Sequence, residues 1–504
     1  MAGNNKSRTK RSASLLVNTS ISLPPPALDF DGLAKFLNTK GSSLLVKGYP
    51  GTGKTTLALQ LITQLGGGNG VYISSRVSEE KISRQIPWLG RIERRPGEAR
   101  GGSKKELGAQ ERFVDVRLGT SQSIVGEVLK AMREKKASII VIDTWDGLAK
   151  EIRDEKERLK AEKTLIALSD SSRTRIVFVS EEPTRTTMDY LVDGIVELTR
   201  SEEAGRVIRE LEIKKLRGTM INQHKYLYTL LDGQFRYIAP YSYPELWKAG
   251  KFEAREDASE SKNYYSFGSA DMDKIFGGIK KGTTFALEYG ERVPYQAIRT
   301  IEIASILNFL NLGRSALLLP LPGASVAEIC SIVKPFVSED AFCERFRIAA
   351  AQHDGTDKNQ RDANPSLFGI GQEEKEGNRR EVMKTSSKVS GMIKELKSKS
   401  SDGSVFVCES VSLLENLFAS DPNSVLEGLS ERVNRIQQSD DALMLLLQSD
   451  SPMRSRVLAM SYQQAKLLAR DRSIILMGEK PSTEIFALEH SRKNRLLPSL
   501  TRIV

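Results

Sequence analysis

A glycine-rich segment between a predicted strand and a predicted helix constrains this chain more than any other feature. Residues 48–55 read Gly-Tyr-Pro-Gly-Thr-Gly-Lys-Thr and fit the pattern G-x-x-x-x-G-K-[ST]. The apolar residues 43–46 predict a short buried strand before it, and residues 55–65 predict a helix after it. In such a loop, consecutive N–H groups and the helix dipole bind phosphate. The sequence therefore predicts a bound nucleoside triphosphate, which we expect to be ATP with Mg²⁺.

The residues expected to contact the nucleotide lie in this loop and in the first turn of the helix. They are Gly48, Tyr49, Pro50, Gly51, Thr52, Gly53, Lys54, Thr55 and Thr56. We expect Lys54 to place its charge on the β- and γ-phosphates and the Thr55 hydroxyl to bind Mg²⁺. Asp143 ends an apolar strand predicted at residues 138–142, so its carboxylate is expected to hold Mg²⁺ through water. The alternative for Asp143 is a helix cap or a loop position.

Apolar strands alternate with helical segments along the first half of the chain. They are predicted at residues 43–46, 70–74, 138–142 and 175–179. Near-continuous apolar strands separated by helices indicate a parallel sheet covered on both faces. The pattern restarts in the second half, where residues 404–410 match residues 138–144 position by position in chemical type. The sequence therefore predicts a tandem repeat of one α/β domain, and two unrelated α/β domains are the alternative.

Composition along the chain predicts where these domains begin and end. The first 28 residues contain no acid, and we expect a basic mobile tail at residues 1–24. A first domain at 25–240, a polar linker at 241–262 and a second domain at 263–504 follow. Residues 351–403 have few large apolar side chains and are interpreted as a polar insertion in the second domain, partly disordered.

Three segments of the first domain are distinctive: residues 48–56, Ile-Val-Ile-Asp-Thr at 140–144, and Leu-Glu-Ile-Lys-Lys-Leu-Arg-Gly-Thr at 211–219. They resemble segments of the RecA-type ATPases of the KaiC, RadA and GvpD group. Ser-Ser-Arg-Val-Ser at 74–78, followed by Pro-Trp-Leu at 87–89, is more similar to archaeal GvpD than to KaiC. The resemblance covers nearly all of the first domain and only the pattern of the second. It implies two tandem RecA-like P-loop NTPase domains, each a parallel sheet flanked by helices, with a degenerate second copy.

The resemblance also implies roles for residues outside the phosphate loop. Lys215 and Arg217 would reach the γ-phosphate of a neighbouring subunit in a homo-oligomer, and a solvated basic strand end is the equal alternative. KaiC-type domains carry paired glutamates after the second strand, but here Arg76 and Val77 stand there, so the general base is missing from its usual place. Glu181 ends the fourth strand and could sense phosphate or position water.

The corresponding loop of the second copy departs further from the pattern. Residues 288–296 read Glu-Tyr-Gly-Glu-Arg-Val-Pro-Tyr-Gln, with no second glycine and no lysine before a hydroxyl. Glu288 and Glu291 would repel phosphate. We therefore predict that this second site does not bind a nucleotide.

Charge and cysteine content limit the class of protein only loosely. The net charge is +11, the pI is near 9.3, and residues 91–112 form a basic glycine-containing segment. This segment is either a solvated surface loop or a docking surface for DNA or an acidic protein. Three cysteines without metal-like spacing indicate reduced thiols and a cytoplasmic protein. The chain has no apolar run of the roughly 18 residues that a membrane span needs.

The favoured hypothesis is an ATP-controlled regulator that resembles GvpD, hydrolyses ATP slowly and acts through a protein partner or DNA. The resemblance implies a role in gene regulation, notably of gas-vesicle formation. A DNA-acting, recombinase-type ATPase is one alternative, and a non-hydrolysing ATP-binding scaffold is another.

Overall fold

The structure is a computed structural model, and it describes most of the chain. The described residues are 32–66, 69–86, 113–116, 121–134, 136–242, 252–257, 263–351, 367–370, 379–419, 421–490 and 497–504. The predicted basic tail at residues 1–24 and the basic segment at 91–112 lie outside them. The domain boundaries drawn from composition stay a prediction.

The first sheet is parallel where it carries the phosphate loop and antiparallel towards its other edge. Its strands are β1 (Ser43–Gly48), β2 (Gly70–Ser74), β3 (Phe113–Asp115), β4 (Ile139–Asp143), β5 (Arg175–Ser180), β6 (Gly194–Glu203), β7 (Arg206–Leu216), β8 (Lys225–Thr229) and β9 (Arg236–Tyr237). They lie in the order β3-β2-β4-β5-β1-β6-β7-β8-β9, and pairing is antiparallel only from β6 to β9.

Helices cover both faces of this sheet because its central strands are apolar on both faces. The helices are α1 (Leu33–Asn38), α2 (Lys54–Leu65), α3 (Glu79–Gln85), α4 (Ser121–Arg133), α5 (Trp145–Ala149), α6 (Glu155–Ser172) and α7 (Thr187–Leu191), with a short 3₁₀ turn at Leu231–Gly233. In β1, Leu44 and Val46 pack with α1 and α2, whereas Leu45 packs on the opposite face. This alternation is the parallel, doubly covered sheet that the apolar strands predict.

The second sheet repeats the first in strand order. A small pair of strands, β10 (Tyr264–Tyr265) and β11 (Ile279–Lys280), precedes it. Its own strands are β12 (Thr283–Tyr289), β13 (Ser315–Leu319), β14 (Phe346–Ala351), β15 (Leu367–Ile370), β16 (Val405–Ser410), β17 (Ala442–Gln448), β18 (Gln463–Arg470), β19 (Ser473–Lys480), β20 (Ser482–His490) and β21 (Pro498–Arg502). They lie in the order β15-β14-β13-β16-β17-β12-β18-β19-β20-β21. Without the edge strand β15, this order equals that of the first sheet, so the tandem RecA-like fold is confirmed.

The helices of the second copy also cover both faces of its sheet. They are α8 (Ala270–Phe276), α9 (Tyr295–Asn311), α10 (Val326–Val333), α11 (Glu339–Glu344), α12 (Arg379–Lys399), α13 (Val411–Leu417), α14 (Pro422–Gln437) and α15 (Arg454–Met460), with a 3₁₀ turn at Lys334–Phe336. In β13, Leu318 packs on one face and Leu317 and Leu319 on the other. No helix in the described part of the chain is both long and apolar enough to cross a membrane.

Two regular elements lie within the described parts of residues 351–403. It contributes β15 to the sheet and the 21-residue helix α12 to the layer that covers it. β15 has no counterpart in the first sheet, and the interpretation of residues 351–403 as an insertion stays a prediction. A single buried stripe, which includes Val382, Val389 and Leu396, is enough to dock α12, so the helix remains polar in composition.

The antiparallel parts of the two sheets pack against each other. A shared apolar cluster joins side chains of β7, β8 and the residue after β9 with side chains of β19, β20 and the residue after β21. Its buried members are Ile208, Leu227, Ile238, Ile475, Met477, Ile485, Ala487 and Ile503. The second domain therefore contacts the first through the strands that follow its parallel core.

Candidate nucleotide-binding site

The phosphate loop joins the end of β1 to the start of α2 and requires glycine at three positions. Gly48, Gly51 and Gly53 have φ values of 151°, 79° and 89°. A Cβ on Gly48 would lie 2.4 Å from the carbonyl oxygen of Leu198, and one on Gly53 would lie 2.7 Å from the Leu230 side chain. Because other residues rarely adopt such φ values, glycine allows the close turn that presents N–H groups to an anion.

Lys54 begins α2, and its side chain is buried beneath the loop. Its Nζ donates hydrogen bonds to the carbonyl oxygens of Gly48 (2.6 Å) and Tyr49 (2.9 Å). Burial lowers the pKa of Lys54, while the negative charges of Glu181 and Asp143 act in the opposite direction. A phosphate oxygen is a stronger partner for an ammonium than a neutral carbonyl, so this lysine is suited to bind a phosphate in the loop.

Asp143 lies at the end of β4, directly opposite the first turn of α2. The Thr55 hydroxyl donates a hydrogen bond of 2.7 Å to Asp143 Oδ2, and the hydroxyl of Tyr72 donates to the same oxygen. Burial raises the pKa of Asp143, and the hydrogen bonds from Tyr72 and Thr55 and the charge of Lys54 oppose that rise. The carboxylate is therefore buried but held by two hydroxyl donors.

Tyr72 is a site residue that the sequence did not predict. It lies on β2, two residues before the end of that strand, and burial and the Asp143 carboxylate raise its pKa well above its usual range. In the register of β2 with β4, Tyr72 faces Val141, so its side chain shares a face with Asp143. This pairing could be anticipated only once β2 and β4 were known to be neighbours.

The side-chain oxygens of Thr55 and Asp143 are suitable ligands for Mg²⁺. A threonine hydroxyl and a carboxylate are the hard oxygen ligands that Mg²⁺ prefers, and in such sites phosphate oxygens and water supply the other ligands. Among the described residues, no cluster of three or more His, Cys, Asp or Glu side chains could hold a metal ion without such help. Thr55 and Asp143 would hold Mg²⁺ together with the phosphate oxygens of a bound nucleotide.

Glu181 follows β5 and is held by both its main chain and its side chain. Its N–H donates to Asp146, whose other oxygen accepts a hydrogen bond of 2.9 Å from the Ser180 hydroxyl. The Glu181 carboxylate forms an ion pair with Arg76, which is 53% exposed. The cation that replaces the expected glutamate therefore contacts the acid that could otherwise position water.

These groups surround one open cleft of about 250 Å³. The residues that line it are Gly51, Gly53, Lys54, Thr55, Asp143, Thr144, Glu181 and Leu230. Tyr49 is 61% exposed at the outer side of the loop, and the buried Thr52 donates its hydroxyl to the Tyr49 carbonyl oxygen (2.8 Å). The structure thus brings the phosphate loop, Asp143 and Glu181 together, as the sequence predicts for a nucleotide site.

Lys215 and Arg217 lie at the end of β7, and neither lines this cleft. Lys215 Nζ donates to the carbonyl oxygen of Asp189 (3.0 Å), and burial lowers its pKa. Arg217 is 57% exposed and forms an ion pair of 3.3 Å with Asp193. Their action on the nucleotide of a neighbouring subunit stays a prediction.

At the corresponding place in the second domain, the lysine is replaced and two buried acids are paired with arginines. Tyr295 begins α9, the helix equivalent to α2, so an aromatic side chain replaces the lysine. Glu288 forms an ion pair of 2.8 Å with Arg454. Glu409 of β16, the strand equivalent to β4, pairs with the buried Arg432. These contacts agree with a degenerate second copy.

The part of the chain that carries the phosphate loop matches a known protein family. The family model described as "ATPase: KaiC" matches residues 29–236. The first domain is therefore a KaiC-like ATPase domain.

Two relatives extend the similarity beyond that domain. Protein GvpD1 of Halobacterium salinarum is 25% identical over 370 residues, which are 68% of this chain and 67% of the relative. Protein GvpD2 of the same organism is 29% identical over 290 residues, which are 55% of this chain and 57% of the relative. The chain is homologous to both, and it spans little more than half of GvpD2. A solved KaiC-like protein, PH0186 from Pyrococcus horikoshii, is 18% identical, with a TM-score of 0.33 over 40% of this chain and 90% of that one.

Proposed function

We propose that this chain is an ATP-dependent regulator in which bound ATP and Mg²⁺ act as a slowly hydrolysed signal. One observation carries the proposal: Lys54, Thr55 and Asp143 converge on one cleft, while Arg76 pairs with Glu181 at its edge. The homology to GvpD1 and GvpD2 supports a regulatory role for the whole chain, as an oligomer or through a partner in the cytoplasm.

Slow turnover follows from the acids at the cleft. A positioned general base contributes about 10²- to 10⁴-fold to a rate. Asp143 accepts hydrogen bonds from Thr55 and Tyr72, and the Glu181 carboxylate forms an ion pair with Arg76, so both acids already have partners other than water. Mg²⁺, when bound, neutralises charge on the β- and γ-phosphates, and Lys54 and the loop N–H groups hold and orient those phosphates.

Nucleotide stoichiometry tests the proposal. Calorimetry with the full chain should give one ATP per chain, because the second loop lacks the lysine and the second glycine. Lys54→Ala should remove nearly all binding, while Lys40→Ala, which removes an exposed lysine outside the loop, should bind normally. Two sites per chain, or normal binding by Lys54→Ala, would contradict this assignment.

The pair of Arg76 and Glu181 also favours a second candidate, an ATP-binding scaffold that does not hydrolyse ATP. A single-turnover assay with labelled ATP separates the two. Slow release of phosphate supports the regulator with turnover, and ATP recovered intact after prolonged binding supports the scaffold. Turnover that single-stranded DNA accelerates would instead favour a recombinase-type ATPase.

The partner is the least defined part of the proposal. We propose that the basic segments at residues 1–24 and 91–112 bind DNA or an acidic protein rather than ATP. Deleting them should weaken partner binding and flatten its dependence on salt, and should leave ATP affinity unchanged. If every partner interaction survives the deletion, these segments serve only solubility.

A further inference from the structure

The second domain reaches the nucleotide site of the first through the main chain of Val504. Leu230 N–H donates to the Val504 oxygen (3.4 Å), and Val504 N–H donates to the hydroxyl of Thr229 (3.3 Å). Arg209 Nε donates to the same Val504 oxygen at 2.5 Å. Three hydrogen bonds therefore tie one residue of the second domain to β7 and to the end of β8.

Two residues held by Val504 also touch the phosphate loop. Arg209 Nη1 donates to the carbonyl oxygen of Gly51 at 2.9 Å, so one guanidinium joins the loop to the second domain. The Leu230 side chain packs against Gly53 and forms part of the wall of the cleft. A shift of Val504 would therefore move both groups that fix the loop from this side.

A third contact from β8 supports the same part of the loop. The hydroxyl of the buried Tyr228 donates to the carbonyl oxygen of Thr52 at 2.5 Å. Burial raises the pKa of Tyr228 to about 12, although Arg209 acts against this rise, so the hydroxyl keeps its proton at neutral pH. Arg209 thus contacts the loop, its supporting tyrosine and the second domain.

Further contacts between the two domains fix the position of Val504. Ile503 is buried in the shared apolar cluster. Arg206, on the same strand as Arg209, donates to the carbonyl oxygens of Thr483 (2.5 Å) and Gly478 (2.7 Å). The position of Val504 is therefore set by packing as well as by its own hydrogen bonds.

We propose that the second domain completes the nucleotide site: Val504 holds Arg209 and Leu230, and these two residues position the phosphate loop to bind a nucleoside triphosphate. The inference rests on the proposed binding of ATP and gives the degenerate domain a role in that binding. Arg209 is a positioning residue, since it acts through loop carbonyls. By thermodynamic reciprocity, ATP binding must tighten the contact between the domains as much as that contact tightens ATP binding.

The first test measures ATP affinity of full-length variants with Mg²⁺. Arg209→Gln, Ile503→Ala and Thr229→Val should each weaken binding at least about fivefold, the lower end of usual coupling between sites. Combining Arg209→Gln with Ile503→Ala should weaken it by less than the product of the single effects, because both break one connection. The proposal is overturned if the folded Thr229→Val and Ile503→Ala variants bind ATP as the wild type does.

Matched controls separate this connection from a general loss of structure. Arg200→Gln removes the same charge from an exposed residue opposite Arg209 on β6, and Ile348→Ala makes the same truncation in the second domain's own core. Both should change ATP affinity less than about twofold, well below the coupling expected above. If Ile348→Ala weakens binding as much as Ile503→Ala, the effect comes from domain stability and the proposed connection is wrong.

Hydrogen exchange measures a response to ATP that a purely structural role of Arg209 would not change. Saturating ATP should slow exchange of the Leu230 and Val504 amides in the wild type, and this slowing should be lost in Arg209→Gln. The experiments distinguish a failure of this inference from a failure of the proposed function. If the wild type binds no ATP, the nucleotide assignment is wrong. If it binds ATP through Lys54 while neither amide responds, only the role of the second domain is wrong.

Discussion

Replacing Tyr72 with phenylalanine removes one hydroxyl from the nucleotide site and leaves the rest of its packing in place. Tyr72 is 5% exposed, and its ring stacks on Phe113 with centroids 5.6 Å apart. Phenylalanine keeps this contact, so the change isolates the hydrogen bond to Asp143 Oδ2. Asp143 would then stay buried, with the Thr55 hydroxyl still donating a hydrogen bond to it.

The expected loss in the free energy of unfolding depends on whether Asp143, the acceptor of this hydrogen bond, is charged. A hydrogen bond to a charged group contributes about 1.5–3 kcal/mol, compared with about 0.5–1.5 kcal/mol for a neutral pair. Burial raises the pKa of Asp143 and the Tyr72 hydrogen bond lowers it, so the substitution raises that pKa further. A folded state that binds a proton more tightly than the unfolded state loses stability as pH rises. The loss in the free energy of unfolding caused by Tyr72→Phe should therefore be small near the ordinary aspartate pKa of about 3.9. It should be complete above the raised pKa of Asp143 in the variant.

Unfolding by urea at pH 5 and pH 8 measures this difference. Tyr72→Phe should lower the free energy of unfolding more at pH 8 than at pH 5, and it should weaken binding of ATP with Mg²⁺ at pH 5 more than at pH 8. The control is Tyr289→Phe in β12, whose hydroxyl faces the neutral Ser412 at 3.4 Å. Tyr289→Phe should lower the free energy of unfolding by the same amount at both pH values. Equal losses for Tyr72→Phe at the two pH values would refute the reasoning.

Three further predictions concern turnover and the loop. Arg76→Glu should restore an acid at the cleft and raise ATP turnover, and an unchanged rate would mean that other parts of the site prevent hydrolysis. Lys215→Ala and Arg217→Ala should lower turnover only at protein concentrations at which the chain oligomerises; an effect in a dilute monomer, or no effect at all, would exclude action in trans. Gly53→Ala should weaken ATP binding because its Cβ would lie 2.7 Å from a leucine side chain, whereas Gly205→Ala, with similar φ and open space, should not.

Much of the nucleotide site follows from short stretches of sequence. The loop at residues 48–55 has its glycines, lysine and threonine at fixed spacing, and these spacings are set by the backbone path around a phosphate. The apolar strand before Asp143 predicts that its carboxylate lies at the carboxyl edge of the sheet, beside the loop. The match of residues 138–144 with 404–410 likewise predicts the repeated fold, because a repeated pattern of buried strands requires a repeated core.

Composition did not predict the two regular elements, β15 and α12, that lie within residues 351–403. The segment has few apolar residues, yet α12 docks through one stripe of them. Average polarity describes all faces of a helix, whereas docking depends on the one that is buried.

Only the tertiary structure decided which distant residues meet at the cleft. Tyr72 and Asp143 are 71 positions apart, and β2 and β4 bring them together. Arg209 and Val504 are 295 positions apart and meet because the antiparallel parts of two sheets share one apolar cluster. Local spacing encodes the contacts made within one turn or strand. Contacts between domains depend on how buried surfaces fit, and that fit is a property of the folded chain as a whole.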